Sequence, residues 1–121
     1  MDIFTSSFSK AKGLDSSRYF IVSISRFSPR GFSGYKCPSF APSRGLLSAY
    51  KKGLSESAYE RRFLYELGSK DSIYSVFRSL AAACGGRDIV LCCYEPAGAF
   101  CHRRLIAQVV AMFWNYSINE I

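Results

Sequence analysis

A chain of 121 residues suits a single domain spanning 1–121, and 49% hydrophobic with 16% aromatic residues supplies apolar surface for a core, which argues against disorder. The formal net charge of +7 is uneven: residues 10–62 hold eleven Lys or Arg against Asp15, Glu56 and Glu60. That field favours an anionic partner, whether a nucleotide, a nucleic acid or an acidic protein, although a basic surface also serves solubility alone.

The N-terminal residues show no basic stretch followed by an apolar one, so no secretory signal is read there. The apolar run Leu105 to Ile118 is interrupted by Gln108 and Asn115 and is too short to span a bilayer. No membrane partner is expected. A cytoplasmic location with its five cysteines as reduced thiols is the default expectation.

Taken in chain order, Ile3 to Phe8 reads as a short strand and Lys10 to Ser17 as a connection. Arg18 to Arg26, rich in β-branched and aromatic residues, reads as a buried strand ending at Arg26. Residues 27–45, with three Pro, three Gly and four Ser, read as one long loop. Its aromatics Phe27, Phe32, Tyr35 and Phe40 need something to pack on. Ser43 caps a helix over Arg44 to Lys52 that ends at Gly53. Ser57 and Glu60 have capping-box spacing for a second helix that stops at Gly68. Asp71 is the expected cap of a third, whose apolar face is Ile73, Val76, Phe77, Leu80, Ala81 and Cys84.

Ile89 to Tyr94 is a continuous apolar run, as in a central strand covered on both faces. His102 to Trp114 then reads as a helix, and the tail from Asn115 as irregular or an edge strand. The order of elements predicts a small α/β sandwich, a largely parallel sheet flanked by helices.

The segment Asp88–Arg104 carries the densest chemistry: the only His, three of the five Cys, Glu95 and an Arg pair. Ligands of open α/β sheets sit beyond the carboxyl ends of strands, where this loop lies. Arg103 and Arg104 fall in the first turn of a helix, where positive charge opposes the macrodipole. The pair becomes favourable with an anion between them, either a bound phosphate or the built-in carboxylate of Glu95. Cys101 at the same helix start, beside His102, is expected to have a lowered pKa and is a candidate nucleophile, or else a small apolar filler. His102 is a candidate general acid or base, and Glu95 the better-placed carboxylate. No phosphatase Cys–Arg spacing, serine elbow or phosphate-binding Gly-rich loop is present. Cys92 and Cys93 point to opposite faces of a strand, and the Cys/His spacing matches no common zinc pattern. No metal or other cofactor is therefore expected.

Arg26 and Arg30 lie beside Phe27, Phe32 and Tyr35. That grouping suits stacking on a base and holding a phosphate, while an Arg26–Glu95 ion pair with the aromatics covering the core is the alternative.

The chain resembles the bacterial and phage proteins grouped as domain of unknown function family 488. The likeness rests on Ile3–Phe8, on Ile24–Pro29 leading to Ala41–Ser43, and on Leu91–Arg103 with its Cys-Tyr-Glu and Gly-x-Phe-Cys-His-Arg elements. Pro96 directly follows Glu95, where the family's proline is expected one place later. The resemblance implies a compact α/β domain with a site formed by the Arg26 and Cys101-His102-Arg103 segments. It does not fix an activity.

Three readings stand at this point. The first is a binder of a phosphate-bearing ligand, nucleotide or nucleic acid, using Arg26, Arg30, Arg103 and Arg104 with Phe27, Phe32 and Tyr35. The second is an enzyme on such ligands using Glu95, His102 or Cys101. The third is an inhibitor that docks its basic face on an acidic protein.

Overall fold

In the computed structural model, which describes residues 1–95 and 100–121, five strands form one sheet in the order β3-β2-β4-β1-β5. They are β1 (Ile3–Ser7), β2 (Tyr19–Ser23), β3 (Tyr35–Lys36), β4 (Asp88–Cys93) and β5 (Asn119–Glu120). Every pairing is parallel, so the sheet is wholly parallel. The helices are α1 (Phe8–Ala11), α2 (Arg44–Lys51), α3 (Glu56–Leu67), α4 (Lys70–Ala83) and α5 (His102–Trp114). Among the described residues, no helix is long and apolar enough to cross a membrane.

β4 lies at the centre of the sheet, as its uninterrupted apolar run predicts. Its alternate residues serve two cores. Ile89, Leu91 and Cys93 face the larger one, with Phe63, Leu46, Leu105 and Ile106. Val90 and Cys92 face a thinner one, covered by Phe8 and Ala11 of α1 and by Phe32. This period of two is what separates Cys92 from Cys93.

Three sequence expectations on element ends are corrected. α3 is capped by Ser55, whose hydroxyl accepts from the Ala58 amide, not by Ser57. α4 is capped by Ser69, not by Asp71, which stands in its first turn. Both clusters offer several capping side chains, and the helix begins one turn before its first core contacts, Tyr59 in α3 and Ile73 in α4. β2 ends at Ser23, so Arg26 stands three residues beyond the strand. Of the remaining helices, α2 and α5 follow the sequence, with Ser43 capping α2 and α5 running His102–Trp114, whereas α1 is not expected from it and takes Phe8 from the segment read as strand.

Residues 27–45 are not one structureless loop. They contain β3, which pairs with β2, and a 3₁₀ turn over Pro38–Phe40. Gly34 lets β3 approach: a Cβ there would lie 2.6 Å from the Ile21 carbonyl oxygen and 2.5 Å from the Phe32 ring. The backbone oxygen cannot swing aside, so Gly34→Ala is expected to cost about 1–3 kcal/mol by overpacking. Urea denaturation checks this. An unchanged midpoint would mean that the β3 edge yields freely.

Candidate functional site

The carboxyl ends of β2 and β4 and the start of α5 enclose a cavity of about 460 Å³. Its walls carry Arg26, Phe27, Arg44, Tyr50, Lys51, Tyr59, Tyr94, Glu95, Phe100, Cys101 and His102. A parallel sheet sends all its carboxyl ends to one edge, which brings Arg26 and Glu95 together here from segments far apart in sequence.

The apolar side is a cluster of rings. Tyr50 lies 5.1 Å from Tyr59 and 5.6 Å from Phe100, and Tyr59 lies 5.3 Å from Phe100, centroid to centroid. Burial, then the charges of Glu95 and Glu66, push the Tyr59 hydroxyl well above its ordinary pKa, so it stays a protonated donor. Phe27 is 57% exposed, and the Arg44 guanidinium sits 5.4 Å from its ring centre.

The basic side has two kinds of cation. Arg26 is committed to the protein: its Nε donates to the Pro42 carbonyl at 3.0 Å, and one Nη donates to Pro38 and Ala41 at 3.3 Å each. It thereby ties the turn before α2 to the segment after β2. Arg44 and Lys51 are exposed residues of α2 on the same rim.

Arg103 does not reach the cavity. It is 1% exposed and forms a two-pronged ion pair with Glu120, at 3.1 Å through Nε and 2.8 Å through Nη2. Its Nη1 donates to the Glu95 carbonyl oxygen at 2.8 Å and to Cys93 Sγ at 2.9 Å. The anion that makes an arginine tolerable in the first turn of α5 is thus Glu120. Glu95 supplies only its backbone oxygen. Burial alone would raise the Glu120 carboxyl; hydrogen bonds from Arg103 and Thr5, with the charges of Arg103 and Lys10, hold it below its ordinary pKa. Arg104 is exposed and lines a separate depression with Thr5 and Glu120.

His102 is buried. Its Nε2 lies 2.6 Å from the Ile24 carbonyl oxygen, which only accepts, so Nε2 carries the proton and Nδ1 presents its lone pair. Burial first, and then the charge of Arg103, lower its pKa to about 4 against the pull of the Ile24 hydrogen bond. The imidazole is therefore neutral near pH 7. Nδ1 points toward Cys101 Sγ, 3.8 Å away.

The Sγ atoms of Cys93 and Cys101 meet, so these two cysteines form a pair able to close as a disulfide. The fold brings the strand end and the helix start together, a pairing that sequence spacing does not disclose. Cys37, Cys84 and Cys92 are free and buried, and burial pushes the Cys92 thiol up to about 12.

The residues read from sequence as one ligand set are divided. Arg26 and Phe27 line this cavity with Glu95, Cys101 and His102. Arg30, Phe32 and Tyr35 line a second cavity of about 720 Å³ with Phe8, Phe20 and Arg87, which runs from α1 around the β3 edge of the sheet. The two groups line different cavities. Sequence reasoning missed Arg44, Tyr50, Lys51, Tyr59, Tyr94 and Phe100. A signal existed for Arg44: it is a cation in the first turn of α2, the same anomaly that marks Arg103. The loop shape at Pro96 lies outside the described residues.

No curated protein and no solved structure matches the chain. A family model described as DUF488-N3a, the active DUF488-N3 subclade, matches residues 6–112. That span contains β2, β4, the start of α5 and every wall of the cavity, and it agrees with the motifs at Ile24–Pro29 and Leu91–Arg103. The chain belongs to the DUF488-N3a family.

Proposed function

We propose that the protein binds a phosphate-bearing ligand, a nucleotide or a nucleic-acid end, in the cavity between the Arg26 segment and the start of α5. The observation that carries this reading is the pairing of an aromatic wall with an exposed basic rim. Tyr50, Phe100, Tyr94 and Phe27 offer faces to a base, while Arg44 and Lys51 offer charge to a phosphate. The amides of the first turn of α5 add an electropositive end. Arg26 and Arg103 shape the site and leave the ligand's charge to the α2 rim.

Arg44→Ala is expected to weaken mononucleotide affinity about tenfold, the loss of one charge-assisted contact of roughly 1.5 kcal/mol. The double variant Arg44→Ala/Lys51→Ala should lose more and should show a shallower dependence of affinity on salt. Isothermal titration with mononucleotides and short oligonucleotides reads both. Unchanged affinity in the double variant would sink the proposal, as would binding that resists mutation of every rim residue.

A second reading, an enzyme on the same ligands, is favoured by the family's description as an active subclade and by Glu95 on the cavity wall. His102 and Cys101 are poor free catalysts as arranged, since one is tied to Ile24 and the other to Cys93. Glu95 is then the acid–base group, and product release abolished by Glu95→Gln is the mark of turnover.

A further inference from the structure

We infer that Cys93, Cys101 and His102, once the cysteines are reduced, form a binding site for a zinc-type divalent ion whose fourth position opens into the cavity. The inference does not rest on the ligand proposed above. The donor atoms of these three residues all lie within 4.8 Å of one another, and all three residues are buried.

The imidazole is set for the role. Ile24 holds the Nε2 proton, which fixes the tautomer and leaves Nδ1 as the donor facing the sulfurs. A hydrogen bond from the far ring nitrogen to a backbone carbonyl is how metal-ligating histidines are commonly oriented. The backbone spacing agrees. The Cα atoms of Cys93 and Cys101 stand 7.7 Å apart, beyond the roughly 4.4–6.8 Å usual for a disulfide. Two thiolates sharing one ion through bonds of about 2.3 Å span that distance without difficulty.

The charges also close. Two thiolates and a neutral imidazole around a dication carry no net charge, so the neighbouring Arg103 meets no added repulsion. Its Nη1 already donates to Cys93 Sγ at 2.9 Å. Thiolate and imidazole donors select zinc over magnesium or calcium. Three protein ligands with an open fourth position are the arrangement of a reactive zinc site rather than a closed structural one. Cys101 and His102 line the cavity wall, so the open position faces it. Sequence spacing gives no sign of this because one ligand ends a strand and the other two begin a helix.

Opening the disulfide takes two electrons and two protons, supplied in the test by a phosphine and water as the phosphine becomes its oxide. Metal binding then displaces a proton from each thiol. The full-length protein, reduced with phosphine and freed of metal, is titrated with cobalt(II). One equivalent should bind, giving thiolate-to-cobalt charge transfer in the near ultraviolet and the visible bands of a tetrahedral ion. Zinc should displace it. X-ray absorption of the zinc-loaded wild type, which needs no variant, should show two sulfur neighbours near 2.3 Å and lighter atoms near 2.0–2.1 Å. Cys93→Ser and Cys101→Ser should each lose most of the charge-transfer intensity, whereas Cys92→Ser, on the opposite face, should keep it. Reduced wild-type protein that binds no stoichiometric cobalt, or a zinc shell without two sulfurs, overturns the inference.

Discussion

Glu120→Ala is expected to cost about 3 kcal/mol of stability, because it leaves the Arg103 guanidinium buried without its anion. The side chain of Arg103 is 1% exposed and that of Glu120 31%, so the arginine cannot escape to water while the carboxylate partly can. The remaining acceptors of Arg103 are a carbonyl oxygen and a sulfur, neither of which neutralises a full charge. Glu120→Gln should be milder, since it keeps one acceptor for Arg103 and for Thr5. The double change Arg103→Met/Glu120→Leu should recover much of the loss, because an apolar pair of similar size removes both desolvation costs. Equilibrium urea unfolding of the three variants reads the order. Equal stability of Glu120→Ala and wild type would mean that the β5 edge does not hold in solution and that Arg103 is free for another anion.

The second large effect is acid sensitivity from His102. Its pKa is near 4 in the folded protein, against an ordinary value near 6.5. The unfolded chain therefore takes up a proton that the folded one refuses. The stabilisation is present in full above pH 6.5 and is lost as pH falls toward 4. The total is about 3 kcal/mol, from roughly 1.4 kcal/mol for each pH unit between the two values. The lone carboxylate of the Arg103 pair adds to the same trend at lower pH, because Glu120 also titrates below its ordinary value. Unfolding free energy measured from pH 7.5 to 4.5 in the presence of a chelator should fall steeply in wild type. In His102→Gln the slope should flatten over that range. An equal slope in the two proteins would assign the acid sensitivity elsewhere.

The parts of the fold that were legible in the sequence are those whose signal is local. β4 announces itself as an apolar run bounded by turns, and α5 by an apolar face of helical period. The two-residue strands β3 and β5 carry no such signal, for each exists only because a neighbour offers an edge to pair with. The consequence reaches the site: Glu120 becomes the partner of Arg103 only because β5 pairs with β1 and sets it opposite Thr5. From sequence the nearer Glu95 is the natural choice. The placement of the cavity at the carboxyl ends of β2 and β4 follows from parallel topology and was legible. The split of the loop aromatics was not. Phe27 and Phe32 are five residues apart and line different cavities, which depends on how the chain crosses the edge of the sheet.

The proposed ligand site is the cavity over β2 and β4. Chemical-shift mapping on labelled protein, titrated with a mononucleotide at low salt, tests it most directly. Perturbations should gather at Phe27, Arg44, Tyr50, Lys51 and Tyr94, with Arg30, Phe32 and Tyr35 unmoved. Shifts confined to Arg30, Phe32 and Tyr35, or no saturable shift with any nucleotide or short oligonucleotide, would contradict it.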